Sequence, residues 1–161
     1  MSFYNDFYDG LNDSRNNLYR EIDTVSNLNK LFSTLHCHIQ NLNNYQTNAT
    51  GEETYYLNIK IDEIIDIFSN SQKQIQDLIK IKKGYPLYQL NDIENISLIK
   101  TLPSMDYKYN QIIKNITHEL TIIKNLIKTV IENASREGDY STIFILASPL
   151  FKIDQLIHFY S

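Results

Sequence analysis

The sequence predicts an all-α fold, a four-helix bundle with a short extra helix in the connection between its second and third long helices. Apolar residues recur three and four positions apart over long stretches, the mark of one helix face turned inward. Only 3 Pro and 4 Gly occur in 161 residues, too little punctuation for a sandwich of many short strands. A connection of about 20 residues separates the second and third periodic stretches, which implies that those two helices run parallel, as a plain up-down bundle with short loops would not allow.

The first helix is expected from Ser14 to Tyr45, with Leu18, Ile22, Val25, Leu28, Phe32, Leu35, Ile39 and Leu42 inward. Thr50-Gly51-Glu52-Glu53 reads as a capping box, the threonine oxygen taking a free amide and Glu53 reaching back to the cap. A second helix follows to about Lys83, with Tyr56, Ile59, Ile64, Phe68, Ile75, Leu78 and Ile79 inward, and Gly84-Tyr85-Pro86 stops it. Asn91-Asp92-Ile93-Glu94 is a second capping-box pattern and places the short helix at Asn91 to Leu98. Pro103-Ser104 is expected to open the third long helix. Its stripe is Tyr109, Ile112, Ile113, Ile116, Leu120, Ile123, Ile127, Val130 and Ile131. Gly138-Asp139 breaks it, and the last helix runs from Ser141 to Phe159, with Pro149 expected to bend it or open one turn.

Composition narrows the function classes. A chain of 161 residues, 42% of them hydrophobic, suits one soluble domain spanning residues 1–161 with a core of its own. The single Cys37 excludes a disulfide framework and a cysteine-only metal cluster, and its apolar neighbours mark it as a buried small hydrophobe. No basic segment followed by an apolar run opens the chain, and its apolar runs are broken by Lys, Asp or Asn. A cytoplasmic protein with no membrane span is therefore expected. The net charge is −4, and Asp6, Asp9, Asp13, Glu21 and Asp23 outnumber Arg15 and Arg20 at the N-terminus. Bulk electrostatics thus argue against coating nucleic acid. Asn is so abundant that single asparagines carry little functional weight.

Few side chains suggest chemistry. His36 and His38 lie two positions apart and point in different directions on a helix, so they cannot chelate one metal unaided. His118-Glu119 lacks the second histidine of a zincin. Asp62, Glu63 and Asp66 put carboxylates on neighbouring turns, a solvated face that could hold a hard cation weakly. No glycine-rich phosphate loop, nucleophile elbow or paired-cysteine motif is present.

Gln46-Thr47-Asn48-Ala49-Thr50-Gly51 resembles the His-Trp-Asn-Val-Thr-Gly signature of the Dps-like mini-ferritins, the DNA-protection proteins of starved cells. The register continues without a gap. Leu57-Asn58 falls on the family's Leu-His, Lys73 and Asp77 on the acids of its Asp-x-x-Ala-Glu-Arg motif, and Lys83-Gly84-Tyr85-Pro86 on its Gly-Gly-x-Pro turn. Ala134 to Thr142 resembles the family's Ala-x-x-x-Gly-Asp-x-x-Thr.

The resemblance implies a ferritin-like four-helix subunit and a homo-oligomeric shell of twelve. It also implies an iron-oxidising centre shared by two subunits across a twofold axis, two histidines from one and an aspartate and a glutamate from the other. On this chain those ligand positions are Gln46, Asn58, Lys73 and Asp77. Two imidazoles have become amides and one carboxylate an ammonium, so the donors and negative charge that Fe²⁺ requires are lost. Lys73 stands one turn from Asp77 and could pair with it. The family's Ala-Asp after the threonine has become Ile143-Phe144, and its C-terminal Trp-Met-Leu has become His158-Phe159-Tyr160.

The expected function is therefore a shell-forming, structural or sequestering protein with a degenerate ferroxidase centre, no catalytic residue, no bound metal and no cofactor. The alternatives are an active iron-storage ferroxidase using a displaced site at Asp62, Glu63 and Asp66, a DNA-protecting protein, or an unrelated helical interaction protein. DNA binding would need a patch such as Lys108, Lys114, Lys124 and Lys128, set against a shell charge of 12 × −4 = −48.

Overall fold

The computed structural model describes the backbone from Ser2 to Tyr160 and the side chains from Thr24 to Tyr160. The inward placement expected of Leu18 and Ile22, and the charges of the first 23 residues, lie outside the described side chains. Among the described residues five helices and two very short strands occur in the order α1 Ser2–Asn48, β1 Ala49–Thr50, α2 Thr54–Ile81, α3 Leu90–Ile96, β2 Tyr107–Lys108, α4 Tyr109–Glu137 and α5 Tyr140–Tyr160.

Four long helices pack around one core, with α1 against α2 and α4, and α5 against α4 and α2. The strands pair in parallel, Ala49 with Tyr107 and Thr50 with Lys108. The chain therefore leaves α1 and enters α4 at the same end of the bundle, and α2 and α4 run parallel. The connection between them must travel the bundle's length, and α3 lies within it, packed on α1. This is the all-α, ferritin-like topology that the long crossover predicted.

From Leu28 to Leu42 α1 is buried almost all round, because the crossover covers the face that α2 and α4 leave free. Irregular backbone over a helix needs hydrogen-bond partners. Here α1 supplies them through side chains. Asn29 donates to the Tyr85 carbonyl at 3.0 Å and accepts from the Leu87 amide at 3.1 Å. Thr34 accepts from the Leu98 amide, Asn41 donates to the Lys100 carbonyl and accepts from the Leu102 amide, and Asn44 donates to the carbonyls of Leu102 and Pro103. Asparagines that composition dismissed thus pin the whole connection.

Helix ends depart most from expectation. α1 starts at Ser2, not Ser14, since apolar periodicity marks only a helix's packed length. Thr50 does not cap α2: its backbone pairs with β2, its hydroxyl donates to the Tyr107 carbonyl, and Glu53 takes the N-cap position without a side-chain bond. Gly51 turns the chain there at φ 115°, a value that L side chains rarely adopt. The second capping box is also absent. Gln89 occupies the cap of α3, the Glu94 carboxylate accepts from Thr101 instead, and the helix ends at Ile96 rather than Leu98. Pro103 does not open α4, because its carbonyl is taken by Asn44 and by the Tyr107 hydroxyl at 2.6 Å while the chain is still extended. The helix begins at Tyr109, where Gln111 reaches back to the Lys108 amide.

α2 ends in a Schellman motif: the Gly84 amide bonds the Ile79 carbonyl at 2.9 Å and the Lys83 amide the Lys80 carbonyl at 3.0 Å. Lys83 bears the left-handed conformation at φ 60°, where glycine is usual. The glycine comes one residue later because a Cβ at Gly84 would lie 2.6 Å from a Val25 methyl. Two residues expected inward on α2, Tyr56 and Ile59, are exposed, and Leu57 and Ile61 are buried in their stead.

Pro149 is buried within α5, and the helix continues on both sides of it. By length and composition α5 could cross a membrane, with a mean hydropathy of 1.2, a correction to the expectation that every apolar stretch is interrupted. Thr142, Leu146, Pro149 and Ile153 face the bundle as part of its fourth long helix, but only 22% of that apolar stretch is buried, and Phe144, Phe151 and Phe159 stand exposed.

Candidate functional site

The end of α1 and the first turns of α2 bring Gln46, Asn58 and Asp62 together. The Gln46 amide nitrogen donates to Asp62 Oδ1 at 2.7 Å and to the Asn58 carbonyl at 3.2 Å. Asn58 Oδ1 is buried without a hydrogen-bond partner. Lys73 and Asp77 are not part of this cluster. They lie exposed further along α2, and eleven residues of helix put Lys73 roughly 16 Å from Asp62. Within one chain the four positions therefore cannot form one site. Nor do Lys73 and Asp77 pair, since the ion pairs among the described residues join other groups.

These donors do not fit Fe²⁺. Gln46 turns its N–H side to Asp62, and amide oxygens compete poorly with water for the ion. Among the described residues no group of three or more His, Cys, Asp or Glu could hold a metal ion. Of the displaced acids, Asp62 accepts from Gln46 and Glu63 is bonded to Lys60 at 3.1 Å. Of the four lysines that a DNA-binding patch would need, Lys124 is paired with Asp154 at 2.5 Å, Lys108 ends β2, and Lys114 and Lys128 lie exposed on α4.

A second polar cluster lies in the core. His38 is completely buried, and its Nδ1 is 2.5 Å from Glu119 Oε2 on α4. The other Glu119 oxygen accepts from Asn41 at 2.8 Å and from the Tyr45 hydroxyl at 3.4 Å. Burial, and then the Glu119 charge, push the Tyr45 phenol far above its ordinary value, so it stays a donor. With Glu119 ionised, His38 donates through Nδ1, which leaves Nε2 without a partner. The ring stands edge-on to Phe68 of α2, centroids 5.1 Å apart. His36, by contrast, is only half-buried.

This cluster is where sequence reasoning fell short. His118-Glu119 matches no metal motif, yet Glu119 falls on the stripe of Ile112, Ile116, Leu120 and Ile123, and His38 on that of Leu31, Leu35 and Leu42. A charge on an apolar stripe demands a partner, and that was the available signal. Cys37 is buried as expected, and burial raises its thiol above the ordinary value.

No family model matches the chain, and no curated protein sequence does. Solved structures do match in fold. Dps from Staphylococcus aureus is 20% identical over 86% of this chain and 92% of its own, with a TM-score of 0.81. Antigen TpF1 from Treponema pallidum is 13% identical over 88% and 91%, with a TM-score of 0.85. The Dps protein of Vibrio cholerae, described as a member of a superfamily of ferritin-like diiron-carboxylate proteins, is 17% identical over 88% and 89%, with a TM-score of 0.83. The fold of this chain is that of the Dps-like, ferritin-like four-helix bundles.

Proposed function

We propose that this chain builds a mini-ferritin-like shell of twelve copies and does not oxidise iron at the position its fold inherits. The observation behind this reading is the Gln46–Asn58–Asp62 cluster, where amides stand in place of imidazoles and the nearby carboxylate is engaged by one of them. Iron as a substrate would meet two neutral amides and, from another subunit, an ammonium that repels it. The same geometry disfavours a displaced site, because two of the three acids at Asp62, Glu63 and Asp66 already have partners. Tight DNA binding is not expected either, since counterion release needs clustered cations and the lysines of α4 are few and partly paired.

Assembly is tested first. Light scattering should give about 227 kDa, twelve times the 18.9 kDa subunit, and a stable monomer at micromolar concentration would sink the shell. Iron is tested next, by absorbance, with a buffer blank. The unmodified protein should match the blank, and the triple change Gln46→His, Asn58→His and Lys73→Asp should oxidise Fe²⁺ above it. Oxidation by the unmodified protein that Asp77→Ala abolishes would overturn the reading of these positions. Oxidation that Asp77→Ala leaves intact would point to Asp62, Glu63 and Asp66.

A further inference from the structure

Where the end of the crossover passes over α4, a cavity of about 200 Å³ opens to solvent. Leu98, Ile99, Leu102 and Ile122 give it apolar walls, while Asn115 and Glu119, four residues apart on one face of α4, supply polar groups. Glu119 borders this cavity although its side chain is only 7% exposed. The three side chains that hold it, His38, Asn41 and Tyr45, all come from α1. A carboxylate has about four acceptor positions. Oε1 serves Asn41 and Tyr45, and Oε2 serves His38 alone, so Oε2 keeps one position open.

The charge is as incompletely met as the oxygen. A neutral His38 ring donating through Nδ1 fills a lone pair without cancelling the charge, and an imidazolium would carry a second N–H at Nε2, where no acceptor stands. Lys100 also borders the cavity, but its ammonium donates to the Glu94 carbonyl at 2.6 Å. A buried charge is costly unless it is paired, and the complement of this one is a positive group that donates hydrogen bonds. A divalent cation does not fit, since it takes several oxygen ligands and among the described residues no three acids, histidines or cysteines converge. An ammonium does fit, with three N–H donors. Asn115 hydrogen-bonds the Tyr45 phenol and has its own amide oxygen as a further acceptor. The cavity is smaller than the about 300–1,000 Å³ that drug-sized ligands occupy, so the apolar part of the ligand is short.

We propose that this cavity binds a small aliphatic primary amine, whose ammonium donates to Glu119 Oε2 and the Asn115 oxygen while its chain lies against Leu98, Leu102 and Ile122. The site shares no residue with the Gln46–Asn58–Asp62 cluster, and it goes beyond the shell reading without depending on it.

The test is calorimetric titration of the full chain with n-butylammonium chloride, with n-butanol and sodium butyrate as neutral and anionic controls of the same length. The amine should bind once per chain, and neither control should bind comparably. Glu119→Gln keeps the shape of the side chain and an acceptor for Asn41, yet it should weaken the amine about tenfold or more, the loss of one hydrogen bond between charged groups. Leu98→Trp changes a half-exposed wall residue outside the core and should weaken the amine by filling the cavity. It decides the matter if Glu119→Gln does not fold. Butanol binding as tightly as the amine, or unchanged amine binding in either folded variant, overturns the proposal. So does a wild-type chain that takes up no amine at millimolar concentration.

Discussion

Two polar clusters adjoin on α1, one ending at Tyr45 and the other starting at Gln46, yet their surroundings differ. His38, Asn41 and Tyr45 converge on Glu119 in the core, where a carboxylate makes contacts through both oxygens. Gln46 reaches Asn58 and Asp62 at the surface end of the bundle, where water is an alternative partner for most of the same groups. The contrast teaches where a polar side chain's importance comes from. Chemical type is alike in the two places, but in the core an unmade hydrogen bond has no substitute, whereas at the edge it is replaced by solvent.

Removing the centre of the core cluster should have the largest effect. Glu119→Ala strands His38, Asn41 and Tyr45 without their acceptor, and each buried group left unpaired costs about 1–3 kcal/mol. Urea unfolding followed by circular dichroism at fixed protein concentration measures it. A loss below about 1 kcal/mol would mean that the cluster is solvated and the contrast false.

Asn41 links the core cluster to the crossover, and Asn41→Ala should cost about 1–3 kcal/mol by leaving the Leu102 amide and the Lys100 carbonyl unpaired. Hydrogen exchange sharpens the comparison here. Faster exchange confined to residues 97–103 is expected, while unchanged protection at Leu102 would show that the side chain does not hold the connection.

Asp139 sits between the two extremes, partly buried and bonded to Lys82 at 2.5 Å and to Thr142 at 2.6 Å. Burial alone would raise its carboxyl, but the bonds from Lys82 and Thr142 outweigh that and hold it below the ordinary 3.8. Because the folded-state value is the lower one, its contribution is complete above the unfolded value and is lost as pH falls through the folded one. The melting temperatures of wild type and Asp139→Asn should therefore differ near neutral pH and converge in acid below the ordinary value. Curves that stay parallel to the lowest pH would refute this.

Gln46→Ala should be smallest, within about 0.5 kcal/mol of wild type in the same urea titration. A loss comparable to that of Asn41→Ala would place the surface cluster with the core one. It would also show that the Gln46 contacts hold the α1–α2 corner.

Much of the fold was legible in the chain because periodicity and spacing are local signals. The stripes of Ile112 to Val130 and Leu28 to Leu42 announced packed helices, and the long gap after Gly84 announced parallel α2 and α4. The start of α5 was legible to within one residue, but the starts of α1, α2 and α4 were not. Thr50 and Asn91 have the chemistry of caps, but Thr50 is drawn into the pairing with Lys108 and Glu94 is drawn to Thr101. A cap is only one of several local bonds those side chains can make, and residues distant in sequence decide among them.

At the candidate site the residue types were decided by sequence alone. Gln46, Asn58 and Lys73 are an amide, an amide and an ammonium whatever the chain folds into, and their poverty as iron ligands follows from that. Tertiary structure decided the rest: that Gln46 spends its amide on Asp62, that Lys73 stands too far along α2 to join them, and that Glu119 lies in the core beside His38. Partners 74 to 81 residues apart in the chain meet at that carboxylate. No local pattern encodes such a meeting, because it arises only when α1 and α4 are laid side by side by the burial of their apolar faces.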